Sequence, residues 1–160
     1  MEHSALSRYS TTQASSLTST KSSMHSATLR SEAVWAGLIS ALPSLPEVDA
    51  FLTDERAGGT CLFVGKTRRW TRDKETQALL YETYEPMASA ELSGMAKSVL
   101  TRWGAVRVVL LHRTGEVPVA HPSVIVGTAC PHRAEAFEAT RFLIDTLKET
   151  VPIWKTDIHL

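Results

Sequence analysis

The last third of the chain carries basic residues at positions where they could bind an anion and move protons. His132 and Arg133 stand immediately before an amphipathic run, residues 134–150, and Lys148 lies in the last turn of that run. Lys155 follows shortly afterwards. Arginine binds phosphate and carboxylate groups, and histidine and lysine also act as general acids and bases. Basic groups on a rigid helix beside apolar side chains therefore predict an enzyme with an anionic substrate.

A second basic cluster follows an apolar run near the middle of the chain. It opens with Gly65, Lys66, Thr67 and Arg68. Glycine lets the backbone approach a ligand, and Arg68 offers a bidentate fork to phosphate or carboxylate. A solvated hairpin loop explains the same composition equally well, so spacing alone leaves both interpretations open. The GxxxxGK[ST] spacing of a P-loop is absent from this cluster.

Each basic group of the last third also has an interpretation without chemistry. His132 suits a capping or packing role at the start of a helix. Lys148 lies beside an apolar stripe, where its ammonium either extends to solvent or is partly desolvated and then usable as an acid or base. Lys155 follows Trp154, so cation–π stacking or plain exposure accounts for it. The predicted stripe consists of Phe137, Thr140, Ile144, Leu147 and Val151.

The two cysteines are predicted to be small core residues. Cys61 and Cys130 lie far apart, each in an apolar run, and form no CxxC pair. The order Cys130-Pro131-His132 also permits a thiol–imidazole nucleophile, although the proline between them does not ensure contact. A disulfide-stapled secreted domain is not expected, and the cytoplasm is the predicted compartment. The sequence shows no convincing metal-ligand cluster, so no metal is predicted.

The length of the last helix separates two of the basic groups. His132 and Lys148 are sixteen positions apart, which on one straight helix is roughly 24 Å at about 1.5 Å per residue. One small-molecule pocket cannot easily hold both side chains from a single subunit. Either they serve different sites, or a two-fold dimer brings the helix start of one subunit to the helix end of the other.

The chain as a whole has the size and charge of one neutral domain. It has 160 residues, with 17 basic and 17 acidic side chains, so a sizeable core is expected. Zero net charge argues against nucleic acid or an anionic membrane as partner. No apolar run approaches the roughly 20 residues that span a bilayer. Residues 1–30 are rich in Ser and Thr and predicted to be disordered, with Met24 as an alternative start, and the ordered domain is expected over residues 31–160.

Hydrophobic periodicity predicts alternating helices and paired strands, which indicates an α+β layer fold. A helix is expected from an N-cap at Ser31 through Ile39, and a short helix over residues 48–56. Strands are expected over residues 60–64, 79–84, 106–111 and 123–129, the first two as partners. Two longer helices are expected from Pro86 to Trp103, with Gly104 as the terminating glycine, and over residues 134–150.

In combination, five short segments resemble the catalytic (large) subunit of molybdopterin synthase, the MoaE family. They occur in family order and cover about residues 58–157. The segments are Leu62-Phe63-Val64-Gly65-Lys66-Thr67-Arg68, Leu80-Tyr81-Glu82-Thr83-Tyr84-Glu85-Pro86-Met87-Ala88, His112-Arg113-Thr114-Gly115-Glu116-Val117, Ala129-Cys130-Pro131-His132-Arg133-Ala134, and the run from Ile144-Asp145 through Lys148 to Pro152-Ile153-Trp154-Lys155.

This resemblance implies a MoaE-like fold of the α/β-hammerhead type, a single domain with a mixed sheet and packed helices. It implies transfer of sulfur to cyclic pyranopterin monophosphate, which forms the dithiolene of molybdopterin. The sulfur donor would be the thiocarboxylated C-terminal glycine of a ubiquitin-like small subunit. The family forms a homodimer of large subunits within a heterotetramer and uses no metal or organic cofactor.

Position by position, the resemblance assigns roles to named residues. Lys148 and Lys155 would be the catalytic lysines, and both would also bind substrate. The remaining substrate-binding residues would be Lys66, Thr67, Arg68, His132, Arg133, Thr156 and Asp157. In such enzymes the His-Arg pair faces the lysines of the neighbouring subunit, which agrees with the separation expected from the helix length.

One alternative interpretation stays within the same family. Family members usually continue beyond the position that matches Leu160. A truncated paralogue with little or no activity, acting as a binding scaffold for the small subunit, is therefore the second hypothesis. An unrelated protein that binds a phosphate ligand is the third.

Overall fold

The structure is a computed structural model, and residues 28–159 are described. Residues 1–27 therefore lie outside the described part of the chain, and with them lie the alternative start at Met24 and most of the segment predicted to be disordered. The last three residues of that segment, Thr28–Arg30, form the strand β1, so the predicted disorder is wrong for these three residues.

Three helices separate groups of strands along the described part of the chain. The strands are β1 Thr28–Arg30, β2 Val34–Ile39, β3 Gly59–Lys66, β4 Trp70–Thr71, β5 Lys74–Glu75, β6 Ala78–Thr83, β7 Arg107–Arg113, β8 Gly115–Pro118, β9 Pro122–Cys130 and β10 Ile153–Ile158. The helices are α1 Leu45–Leu52, α2 Glu85–Arg102 and α3 Arg133–Thr150.

A mixed sheet of five strands in the order β1-β2-β7-β9-β3 forms the centre of the domain. Only β2 and β7 run parallel within it, and the other neighbours are antiparallel. A separate antiparallel sheet has the order β10-β6-β8, and β4 and β5 form a short hairpin. The predicted α+β single domain with a mixed sheet is confirmed.

Helices cover both faces of the central sheet. Val108 and Leu110 of β7 pack in the cluster that contains the apolar faces of α2 and α3. Val109 and Leu111 point to the opposite face, where α1 packs. Burial on both faces explains why the central strands read as continuous apolar runs instead of alternating ones.

The first predicted helix is wrong, because Val34–Ile39 is the strand β2. The hydroxyl of Ser31 does accept a hydrogen bond three residues on, from the Val34 N–H at 3.1 Å, but it closes the turn between β1 and β2. Gly37 has φ 138°, a conformation outside the helical region that favours glycine. Short apolar runs fit a buried strand or a helix equally, and pairing with β7 decides between them.

The predicted pairing of residues 60–64 with residues 79–84 is also wrong. β3 pairs with β9, whereas β6 lies between β10 and β8 in the smaller sheet. Strand pairing depends on contacts far apart in sequence, which local alternation does not specify. The strand β10 was also missed by the sequence patterns.

The two long helices lie where the sequence patterns predict them. Trp103 follows α2 as its C-cap, and Gly104 adopts φ 64°, as a terminating glycine should. The expected short helix exists as α1, but it begins earlier, after an N-cap at Ser44 whose hydroxyl accepts from the Glu47 N–H. The buried face of α3 differs from the predicted stripe, since Phe137 is 64% exposed. Its buried residues are Ala136, Ala139, Thr140, Leu143 and Leu147.

Candidate active site

A cavity of about 590 Å³ lies between the end of α3, the smaller sheet and one end of the central sheet. This volume suits a small-molecule ligand. Its walls combine apolar and charged side chains from several strands, α3 and the basic loop. The charged and titratable lining residues are Lys66, Arg68, Tyr81, His112, Lys148, Lys155 and Asp157.

β10 supplies two of these residues through the alternation of a strand. Lys155 and Asp157 line the cavity together with Ile153, since residues two apart share one face. Thr156 lies between them and does not line the cavity, so its predicted role in substrate binding is not supported. Its position opposite Leu80 keeps it on the other face of the smaller sheet.

The end of β3 and the residues directly after it bring Lys66 and Arg68 to the cavity. A Cβ at Gly65 would lie 2.6 Å from Val124 Cγ1 and 3.3 Å from Phe63 Cε1, so only glycine fits this close approach. Thr67 is 3% exposed and its hydroxyl donates to the Val117 carbonyl at 3.2 Å. The predicted substrate contact of Thr67 is therefore not supported, because its side chain is used to fasten the loop.

The end of α3 places Lys148 on the cavity wall beside the apolar side chains of Ile144, Leu147 and Val151. Lys148 itself is exposed. Seven positions later, Lys155 reaches the same cavity, because the chain turns after Val151 and enters β10 directly. The two predicted catalytic lysines are thus brought together by the fold.

The cavity has a strong excess of positive charge. Among the described residues, four cations line it, and Asp157 is the one carboxylate in the lining. Within residues 28–159, none of the four forms a salt bridge with an acidic side chain. Unpaired cations around a concave surface attract anions such as phosphate or carboxylate. The four are Lys66, Arg68, Lys148 and Lys155.

His112 is a cavity residue that the site prediction missed. It is 5% exposed, and its ring meets Tyr81 edge to face with centroids 4.8 Å apart. Burial and, to a smaller extent, the nearby charge of Lys148 together lower the pKa of His112 to about 4, although the hydrogen bond to the Arg113 carbonyl acts in the opposite direction. The imidazole is therefore neutral at pH 7. The signal in the sequence that could have identified His112 as a site residue is its position near the end of an apolar strand.

His132 and Arg133 do not line this cavity. They stand at the start of α3, with Lys148 in its last turn, as expected from the length of the helix. His132 is the N-cap position but makes no side-chain capping bond, so the alternative of a capping role is not supported. Both residues are exposed.

The predicted core role of Cys130 is confirmed, and a nucleophilic role is not supported. Its side chain is 0% exposed and packs in the main apolar cluster. Burial raises the pKa of the Cys130 thiol, which disfavours the reactive thiolate. Cys61 is partly buried against the same cluster, and both cysteines are free.

The described part of the chain offers neither a cluster of metal ligands nor a membrane-spanning helix. Residues 28–159 contain no group of three or more His, Cys, Asp or Glu side chains arranged to hold a metal ion. No helix in this part of the chain is long and apolar enough to cross a membrane.

Known proteins share both the sequence pattern and the fold. A molybdopterin synthase catalytic subunit from Nostoc sp. is 43% identical over 115 residues, which cover 71% of this chain and 70% of the relative. A molybdopterin synthase structure from Staphylococcus aureus superposes with a TM-score of 0.73 at 29% identity, covering 78% of this chain and 91% of that chain. The chain spans about a third (32%) of the length of the Drosophila melanogaster catalytic subunit that it also matches.

A further neighbour has the same fold at lower identity. It is the protein–protein complex of subunits 1 and 2 of the molybdopterin-converting factor from Helicobacter pylori, with a TM-score of 0.65 at 24% identity over 77% of this chain and 84% of that chain. The family model described as MoaE protein matches residues 40–150. This match extends over more than half of the sequence and includes most of the central sheet and α3, so the chain belongs to the MoaE family.

Proposed function

We propose that this chain is the catalytic subunit of a molybdopterin synthase. It transfers sulfur from the thiocarboxylated C-terminus of a ubiquitin-like small subunit to cyclic pyranopterin monophosphate, giving the dithiolene of molybdopterin. The observation that carries this proposal is the cavity lined by four cations without salt-bridge partners in the described part of the chain. Both proposed substrates are anions, so one positively charged cavity attracts both.

The cations divide between binding and proton transfer. Arg68 is suited to the substrate phosphate, because its guanidinium presents two parallel N–H donors. Lys148 and Lys155 line the same cavity, and a lysine there supplies or accepts the protons that sulfur transfer requires. Lys66 and Asp157 complete the binding surface.

The second part of the proposal is a homodimer in which each cavity receives His132 and Arg133 from the partner subunit. Two observations support it. Both side chains are exposed and lie outside the cavity of their own subunit. They also stand a full helix away from Lys148, a span of roughly 24 Å. Each dimer binds two small subunits, which makes a heterotetramer.

The proposed activity belongs to the domain expected over residues 31–160, extended at its start by β1. The cytoplasm is its proposed compartment, in keeping with two free cysteines. No metal or organic cofactor takes part in the proposed reaction, and neither nucleic acid nor a membrane is a proposed partner.

The deciding experiment incubates the purified chain with a thiocarboxylated small subunit and cyclic pyranopterin monophosphate. Formation of molybdopterin, with loss of the thiocarboxylate, is the expected result. An otherwise identical reaction with the carboxylate form of the small subunit is the control. Binding of the small subunit without product would instead identify the scaffold role. The absence of both binding and product would overturn the proposed function for this chain.

A further inference from the structure

The two ring nitrogens of His112 have different surroundings. Nδ1 lies 2.8 Å from the Arg113 carbonyl oxygen, which can only accept, so Nδ1 carries the proton of this hydrogen bond. In a neutral imidazole the other nitrogen, Nε2, is then an acceptor. Within residues 28–159, Nε2 has no hydrogen-bond partner, and it is not fully enclosed, in contrast to the unpaired Nε of Arg113. Nε2 is therefore accessible to a ligand, although His112 as a whole is 5% exposed.

This accessible nitrogen belongs to a side chain that lines the cavity. The ring is held by its own hydrogen bond and by Tyr81, which meets it edge to face with centroids 4.8 Å apart. Burial is the main reason why the pKa of His112 is lowered to about 4, so the ring is neutral at pH 7. A fixed and uncharged acceptor forms a hydrogen bond only with a donor of the ligand, an N–H or an O–H group.

The charged groups of the cavity suit a different part of a ligand. The four cations in its lining only donate hydrogen bonds, and Asp157 is the one carboxylate among the described lining residues. The phosphate of cyclic pyranopterin monophosphate accepts hydrogen bonds and therefore matches the cations. Its pterin ring system carries N–H groups, which match a neutral acceptor. Phe63 and Leu79 also line the cavity and suit the flat faces of such a ring.

We propose that His112 is a specificity-determining residue: its Nε2 atom accepts a hydrogen bond from an N–H group of the pterin ring, while the cations hold the phosphate. This inference rests on the proposed function, because the pterin is the substrate of that reaction. A small phosphate without an N–H donor would still meet the cations but would leave Nε2 unpaired. Sites that form a hydrogen bond with one group of a ligand reject analogues that lack this group, so the cavity distinguishes a pterin phosphate from other phosphates.

The tautomer and the contact are tested by ¹⁵N NMR of the histidine rings in the full chain, with no sulfur donor present. Without ligand at pH 7, His112 should be protonated at Nδ1 and unprotonated at Nε2. Cyclic pyranopterin monophosphate should shift the Nε2 resonance of His112, because a new hydrogen bond forms there. Inorganic phosphate is the control and should leave this resonance in place. An Nε2-protonated tautomer, or an equal response to the two ligands, would overturn the inference.

The consequence for binding is tested with two substitutions and the same two ligands, by calorimetric titration. His112→Phe keeps a ring against Tyr81 but has no acceptor, so its affinity for cyclic pyranopterin monophosphate should fall about fivefold to a hundredfold, as expected when a buried donor loses its partner. His112→Gln offers an amide oxygen and should recover part of this loss. Both variants should bind inorganic phosphate as wild type does, which a merely structural role of His112 would not predict.

The outcomes separate this inference from the proposed function. Equal pterin affinity in wild type and both variants would overturn the inference, and so would a parallel loss of affinity for both ligands. Turnover by wild type with an unmoved Nε2 resonance would count against the role of His112 alone. A wild-type protein that does not bind the pterin at all would overturn the inference together with the proposed function.

Discussion

Lys148 and Lys155 line one cavity from two consecutive elements, the last turn of α3 and the strand β10. Lys66 and Arg68 line the same cavity. Like charges placed around one concave surface repel each other, and an anionic ligand relieves that repulsion. This arrangement and the packing around it determine how substitutions in the cavity should behave.

Replacing Lys148 by alanine should abolish activity without unfolding the protein. Loss of a group that transfers protons should lower the rate of molybdopterin formation by about a hundredfold or more. Lys148 is exposed, so the free energy of unfolding should change by less than about 0.5 kcal/mol. Product formation and urea denaturation are the two measurements. Lys97→Ala should leave both at wild-type values, and wild-type turnover in Lys148→Ala would remove Lys148 from the mechanism.

Adjacent residues of β10 should differ sharply in their effect on activity. Lys155→Ala removes a cation from the cavity and should lower kcat/KM by at least about tenfold, as expected for a lost contact to a charged substrate. Thr156→Ala changes the opposite face of the strand and should leave kcat/KM unchanged. Steady-state kinetics of the two variants provide the comparison. A larger loss in Thr156→Ala than in Lys155→Ala would mean that β10 presents its other face to the substrate.

Mixing two inactive variants should restore activity if each cavity of the dimer uses residues from both subunits. A dimer of one His132→Ala subunit and one Lys148→Ala subunit would contain one cavity with both residues intact. Because random exchange makes about half of the dimers mixed, about a quarter of the cavities should become active. The measurement is product formation after mixing, with subunit exchange shown by mass labelling. Complete exchange without recovery would place His132 and Lys148 in unrelated sites.

Gly65→Ala should destabilise the protein by about 1–3 kcal/mol, the usual effect of overpacking. Its methyl group would lie 2.6 Å from Val124 Cγ1, a branched side chain that is 5% exposed and has little freedom to move. Gly94→Ala is the matched control, because a methyl group added at this position of α2 would meet nothing within 4 Å. That change should stabilise the helix by about 0.5–1 kcal/mol. Urea denaturation measures both, and equal stability in the two variants would show that Val124 yields easily.

Lowering the pH should reduce the free energy of unfolding, in part because of His112. Its pKa in the folded protein is about 4, below the usual histidine value of 6.5, so the unfolded chain binds the proton more tightly and stability falls as pH drops below about 6.5. Between about pH 7.5 and pH 5 this residue should account for about 2 kcal/mol of the loss. The unfolding free energy of His112→Gln should therefore depend less steeply on pH than that of wild type. Parallel pH curves for the two proteins would show that His112 titrates normally in the folded state.

Local patterns in the sequence were sufficient for the two long helices and for the strands β3, β6, β7 and β9. The start of α2, which has Pro86 in its first turn, and its end before Gly104 follow from proline and glycine chemistry, which acts over one or two residues. The separation of His132 from Lys148 follows from helix rise alone. The short run Val34–Ile39 failed because six apolar residues satisfy either a helix or a strand.

The composition of the cavity depends on contacts between distant segments. The basic residue types and their order are readable from the sequence, and so is the family pattern that singled out Lys148 and Lys155. Which neighbours join them is set by strand pairing. β6 pairs with β10, an arrangement that turns Lys155 inward and Thr156 outward. Thr67 is withdrawn into a bond with the Val117 carbonyl, fifty residues away, and His112 is brought close to Lys148. Such choices are made by burial and hydrogen bonding across the whole domain, and a side chain's own neighbours in the chain do not encode them.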